Sequence, residues 1–279
     1  MLGKRDFYRL WLALQPALVY IMIYLLLLSL GDLVYLDLAA LPDPIGPFLL
    51  QHPGFYRLFL MLLSMEAASL PFLREGRLRI VCFRQKETEE ETLAERALEK
   101  RGLVWACLIL AVLSACLYGN SLVQARGWPH ASSSGMEAIY AELGPPVLFA
   151  VFGFFTPFVE ELVFRGILYT GLRECLSVPA AVLLTSAVFG TYHGDPVQGV
   201  YAFCISIVFC LSMELLRKFE APWMLHSLAN TVPLALSYLH AWGMLSRPLW
   251  RFCFLICLLL SGGILYAALG PGKDRKPRF

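Results

Sequence analysis

"GFFTPFVEELVFRGILY", Gly153 to Tyr169, sets two adjacent carboxylates and an arginine into an apolar run. The neighbours of Glu160, Glu161 and Arg165 are Phe, Val, Leu and Ile, residues of a helix surrounded by lipid or by other helices. The whole chain shares that background. Its 279 residues are 58% hydrophobic and 16% charged, with mean hydropathy +0.63. Soluble domains are about 45–50% apolar and about 25% charged. A hydrocarbon core about 30 Å thick asks for ~20 mainly apolar residues per helix. Windows of that kind fall near 10–30, 55–73, 102–119, 144–164, 177–193, 197–216, 221–240 and 250–270. The sequence therefore predicts an all-α polytopic membrane protein with about eight transmembrane helices, a single transmembrane domain over 1–279.

Charge orients these spans. With both termini cytoplasmic, nineteen of the 23 Lys and Arg residues lie on the inner side, leaving Arg57, Arg126, Arg247 and Arg251 outside. Such a bias sets orientation in polytopic proteins. The cytoplasmic charged loop 74–101 includes "RQKETEEETLAERALEKR" (84–101), read as a solvated amphipathic helix with Thr88 and Glu91 as a capping box. A net charge of +2 gives no reason to expect a nucleic-acid partner. Most of the eight cysteines sit in apolar runs and read as small packing residues. The N-terminal apolar run is too long for a signal-peptide core. Near span ends, Glu66 and Glu214 read as snorkelling side chains.

Inside a membrane each charge costs about 2.5 kcal/mol or more, so such residues face a partner or a cavity and mark function. Glu161 and Arg165 stand i,i+4 in the order that favours an ion pair. Glu160 is turned about 100° away from Glu161. One acid is thus structural and the other free. "FGTYH" puts Phe189 and His193 on one helix face, and "HSLAN" does the same for His226 and Asn230. Together these residues offer a general base, a second proton carrier and donors for an oxyanion. Water is the natural nucleophile, because no Ser or Cys has a base beside it in sequence.

"EELVFR", "FGTYH" and "HSLAN", in that order on successive apolar spans, resemble the three motifs of the CPBP family. These are the CAAX-protease and bacteriocin-processing (Abi) intramembrane glutamic endopeptidases, with motifs written EExxxR, FxxxH and HxxxN. The motif-bearing core is about 144–240. The resemblance implies a helical core with a cavity open to cytosol and lipid. It also implies that Glu160 with His193 activates water, that Glu161 pairs with Arg165, and that His226 and Asn230 donate to the oxyanion. The expected catalytic set is Glu160, Glu161, Arg165, His193, His226 and Asn230, without a cofactor. The expected partner is a protein or peptide substrate, lipid-modified or membrane-anchored, trimmed in its C-terminal region. Oligomeric state is not legible.

Other readings stay open. Glu160, His193 and His226 have the composition of a catalytic zinc site, although no HExxH is present. Intramembrane Glu/His chains also carry protons in transporters, and a non-proteolytic scaffold would keep the same fold. One mismatch is visible: a linear topology puts His193 at the outer end of its span and Glu160 toward the inner side. "HGDP" (His193 to Pro196) has the turn chemistry of a broken helix dipping into the protein.

Overall fold

The computed structural model of the chain describes residues 4–74, 91–126 and 134–269, and every regular element among them is helical. In chain order these are α1 (Lys4–Ala39), α2 (Ile45–Gln51), α3 (Pro53–Arg74), α4 (Glu91–Arg126) and α5 (Ser134–Glu142). There follow α6 (Pro145–Arg173), α7 (Val178–Tyr192), α8 (Pro196–Leu216), α9 (Glu220–Tyr238), α10 (Trp242–Leu245) and α11 (Pro248–Leu269). All eight apolar windows are helical. Among the described residues five segments are long and apolar enough to cross a membrane: Phe7–Ala39, Arg101–Leu122, Pro145–Arg173, Pro196–Leu216 and Pro248–Ala267. α3, α7 and α9 are shorter or more polar, and eight crossings remain compatible with this set. The charged segment 75–90 and its capping box lie outside the described residues; Glu91–Arg101 runs as helix straight into α4.

α6 does not stop where the apolar window 144–164 stops. It continues to Arg173, because its charged residues interrupt the hydropathy without interrupting the helix. The glutamates and Arg165 consequently sit near the middle of a 29-residue element. That element is not uniform. Two wide, π-type segments, Phe149–Phe155 and Leu162–Tyr169, flank the α-helical turns Thr156–Glu161. Such wide turns are rare and recur at functional sites. Pro157 has no N–H to give back to the carbonyls one turn earlier, and a side chain of α9 takes up that role, as described below.

α6 packs against α1, α7 and α9; α8 pairs with α7 and also touches α9 and α4, and α11 lies against α4. Among the described residues Arg165 is the largest fully buried side chain, set against the rings of Phe189 and Phe209. The α7–α8 hairpin depends on two glycines. A Cβ on Gly190 would lie 2.7 Å from the Gly199 carbonyl oxygen, and one on Gly199 would lie 2.9 Å from that of Gly190. The turn between the helices uses Gly194 at φ +71° and caps α8 with Asp195, whose side chain accepts from the Gln198 N–H at 2.7 Å.

The depth mismatch dissolves in this geometry. α7 has 15 residues, about 22 Å of helix at 1.5 Å per residue, shorter than the other long apolar helices. Its C-terminal end, where His193 stands, stops at the level of the α6 charges: Phe189 and Tyr192 both ring-pack on Phe164 of α6.

Candidate active site

Glu160, Glu161, Arg165 and His226 are all buried, with relative exposures of 6, 0, 0 and 4%. The first three come from consecutive turns of α6 and the last from α9. Arg165 Nη1 donates to Glu161 Oε1 at 2.7 Å, the i,i+4 pair that the sequence spacing favours. Arg165 Nη2 donates to Ser206 Oγ of α8 at 2.7 Å. The guanidinium carbon lies 4.5 Å from the Phe189 ring centroid and 5.0 Å from that of Phe209. Two aromatic faces and two hydrogen bonds thus hold one charge in a dry place, where cation–π attraction is strongest.

His226 completes the arrangement. Its Nδ1 lies 2.7 Å from Glu161 Oε1, the oxygen that also accepts from Arg165, and its Nε2 lies 3.6 Å from Glu160 Oε2. A carboxylate accepts, so Nδ1 carries the proton and Nε2 is the nitrogen turned toward Glu160. The ring stacks on Phe209 at 4.9 Å and meets the edge of Phe189 at 5.7 Å. Glu161 therefore has two tasks, holding Arg165 and fixing the tautomer and tilt of His226.

His193 comes from the other side. Its Nδ1 is 2.8 Å from the carbonyl oxygen of Phe189, one turn back in its own helix. A carbonyl can only accept, so Nδ1–H is the donor. The ring is half-buried, packs on Phe189 at 4.8 Å, and lies within electrostatic range of Glu160.

Asn230 is one turn beyond His226 on α9, and its Nδ2 donates to the Phe152 carbonyl oxygen at 2.9 Å. In the wide turn Phe149–Phe155 the Thr156 N–H goes to Val151. The i→i+5 partner of Phe152 would be residue 157, which is proline. Asn230 supplies the hydrogen bond that Pro157 cannot. Trp223 Nε1 donates to Phe154 O at 3.3 Å in the same region. The shared face of His226 and Asn230 is as their spacing requires, but their donors go to separate protein groups, His226 to Glu161 and Asn230 to the α6 backbone.

Among the described residues no group of three or more His, Cys, Asp or Glu side chains is placed to hold a metal ion. Glu160, His193 and His226 surround one place without converging as a ligand set, and both nitrogens of His226 already face carboxylates.

Other participants were missed by sequence reasoning. Ser206 is one of two serines in an apolar span and carries no sequence signal; only the fold brings it to Arg165. Glu214 is not a snorkelling side chain. It accepts from the Tyr169 hydroxyl at 2.9 Å and from Arg173 Nε, while Arg173 Nη1 donates to Leu176 O at 2.8 Å. Tyr169, four residues past Arg165, ties the end of α6 to α8 through that second ion pair. Nor is every cysteine a mere space-filler. The Cys116 sulfur accepts from the Tyr201 hydroxyl at 2.9 Å and donates to Ala229 O at 3.1 Å, joining α4, α8 and α9.

Residues 142–232 match the family model described as "Type II CAAX prenyl endopeptidase Rce1-like". The segment is similar to Rce1-like domains. It contains every member of the expected site, from Glu160 to Asn230. No curated protein and no solved structure matches the chain. The five long apolar helices among the described residues, together with this match, support an integral membrane protein.

Proposed function

We propose that the protein is an intramembrane endopeptidase that hydrolyses a peptide bond near the C-terminus of a membrane-anchored, lipid-modified protein or peptide, with water as the nucleophile and no metal. The carrying observation is the Glu160–His226–Glu161 arrangement: a buried carboxylate facing Nε2 of an imidazole whose other nitrogen is pinned 2.7 Å from a second carboxylate. Glu160 takes a proton from water as the oxygen forms its bond to the scissile carbonyl carbon. The tetrahedral intermediate collapses with cleavage of the C–N bond, and that proton passes to the leaving amine. His226 holds the water against Glu160. His193, whose Nδ1 is held by the Phe189 carbonyl, is the second proton carrier. Asn230 braces the wide turn of α6 that precedes Glu160. Both termini face the cytosol, the side from which prenylated tails approach.

The test uses the full-length protein purified in detergent and a fluorogenic farnesylated CAAX peptide. Wild-type protein cleaves it and Glu160→Gln does not. Absence of Glu160-dependent hydrolysis overturns the reading.

A further inference from the structure

α8 grips the charged part of α6 at two points. Glu214 takes Tyr169 and Arg173, and two turns earlier Ser206 takes Arg165, its Oγ 2.7 Å from Nη2. Arg165 and Tyr169 both belong to the wide segment Leu162–Tyr169. Ser206 does not behave like other serines of these helices. The hydroxyls of Ser64, Ser121, Ser212 and Ser261 turn back to carbonyls of their own helices at 2.7 to 3.0 Å, the usual habit of serine in an apolar helix. The oxygen of Ser206 instead accepts from a different helix, and both partners are 0% exposed.

The ion pair that results is a single-point one. Arginine and carboxylate frequently meet through two parallel bonds. Here Arg165 gives Glu161 only Nη1, on Oε1 at 2.7 Å, and Glu161 Oε2 is buried with no hydrogen-bond partner among the described residues. Nη2, which could complete the fork, is held by Ser206. Oε1 is also the oxygen that meets His226 Nδ1 at 2.7 Å, and the other nitrogen of that ring lies 3.6 Å from Glu160 Oε2. The angle at which Glu161 presents Oε1 to His226 therefore follows the place of Arg165, and Ser206 fixes that place.

We propose that Ser206 is a positioning residue for the hydrolysis: by holding Nη2 it keeps Arg165 on one oxygen of Glu161, so that this oxygen stays aimed at His226. This rests on the hydrolytic reading given above. Ser206 touches neither water nor substrate and moves no proton; it acts through Arg165 and Glu161 on the tilt of the imidazole. Without its oxygen, Nη2 turns to the vacant Glu161 Oε2 and the pair closes into a two-point fork. The carboxylate then rotates with the guanidinium, and His226 loses its alignment toward Glu160. The charge on Arg165 remains paired in that arrangement, so the fold is kept while the geometry of the site is lost.

The experiment compares wild-type, Glu160→Gln, Ser206→Ala and Ser206→Thr full-length protein on the farnesylated peptide, with thermal melting of each in the same detergent. Ser206→Ala should lower kcat by about 10–100-fold, the scale on which supporting hydrogen bonds act through the group they orient, and leave KM within about twofold. Ser206→Thr keeps the hydroxyl and should recover most of kcat. A Ser206→Ala protein with wild-type kcat overturns the inference while the hydrolytic reading stands. So does a raised KM with kcat intact, which would put Ser206 in substrate binding. A loss of kcat that only follows a lowered melting temperature, or that Ser206→Thr does not relieve, also overturns it. Wild-type protein without Glu160-dependent turnover removes the hydrolytic reading and the inference with it.

Discussion

His226 Nδ1 lies 2.7 Å from Glu161 Oε1, so a histidine of α9 and a glutamate of α6 share the oxygen that also receives Arg165. One carboxylate oxygen thereby ties two helices together and sets which face of the imidazole meets Glu160. The adjacent glutamates differ: Glu161 holds Arg165 and His226, and Glu160 stands 3.6 Å from His226 Nε2.

Glu160→Ala and His193→Ala are each expected to abolish peptide hydrolysis while the protein stays folded in detergent. Glu160 has only the 3.6 Å approach of His226 to lose, and His193 is half-buried with a bond confined to its own helix. Turnover and thermal melting of both variants check this; near-normal turnover in Glu160→Ala sinks the assignment.

Glu161→Ala and Arg165→Ala should instead lose stability as well as activity. Each removes one partner of an ion pair whose side chains are both 0% exposed, which typically costs about 3–5 kcal/mol. Arg165→Ala additionally leaves Ser206 unpaired and empties the space between Phe189 and Phe209. Lower melting temperature and lower yield are the expected readouts, and a stable but inactive Arg165→Ala protein would point to direct contact with substrate.

Asn230→Ala leaves the Phe152 carbonyl without its donor, at an expected cost of about 1–3 kcal/mol. Asn230→Asp should be worse, because it sets a carboxylate against that carbonyl oxygen. Pro157→Ala restores a backbone N–H to the same turn, so the double variant Asn230→Ala/Pro157→Ala should melt above Asn230→Ala alone. A double-mutant cycle with no coupling between the positions would show that Pro157 is not the reason Asn230 is needed.

Removal of metal should leave turnover unchanged. The acid and two histidines that zinc would need are not gathered as ligands among the described residues, and His226 is directed at two carboxylates. Turnover is followed after dialysis against a strong chelator, with metal content measured in parallel. Loss of activity restored by zinc would transfer the chemistry to a metal centre at Glu160, His193 and His226.

What lay within one helix could be read from the sequence. The apolar windows forecast the helices, and the i,i+4 spacing of Glu161 and Arg165 forecast their ion pair, because 3.6 residues per turn fixes direction along a single helix. The same regularity put His226 and Asn230 on one face of α9, and the turn residues after His193 marked the break between α7 and α8. What lay between helices was decided by tertiary packing: the glutamate that pins His226, the carbonyl that engages Asn230, and the pairing of Glu214 with Arg173. A helix apolar on nearly all sides has no polar stripe to announce its rotation, and hydropathy alone does not set its depth. Rotation and depth are fixed only when the helices interlock, through contacts such as Gly190 against Gly199 and the aromatic rings around Arg165.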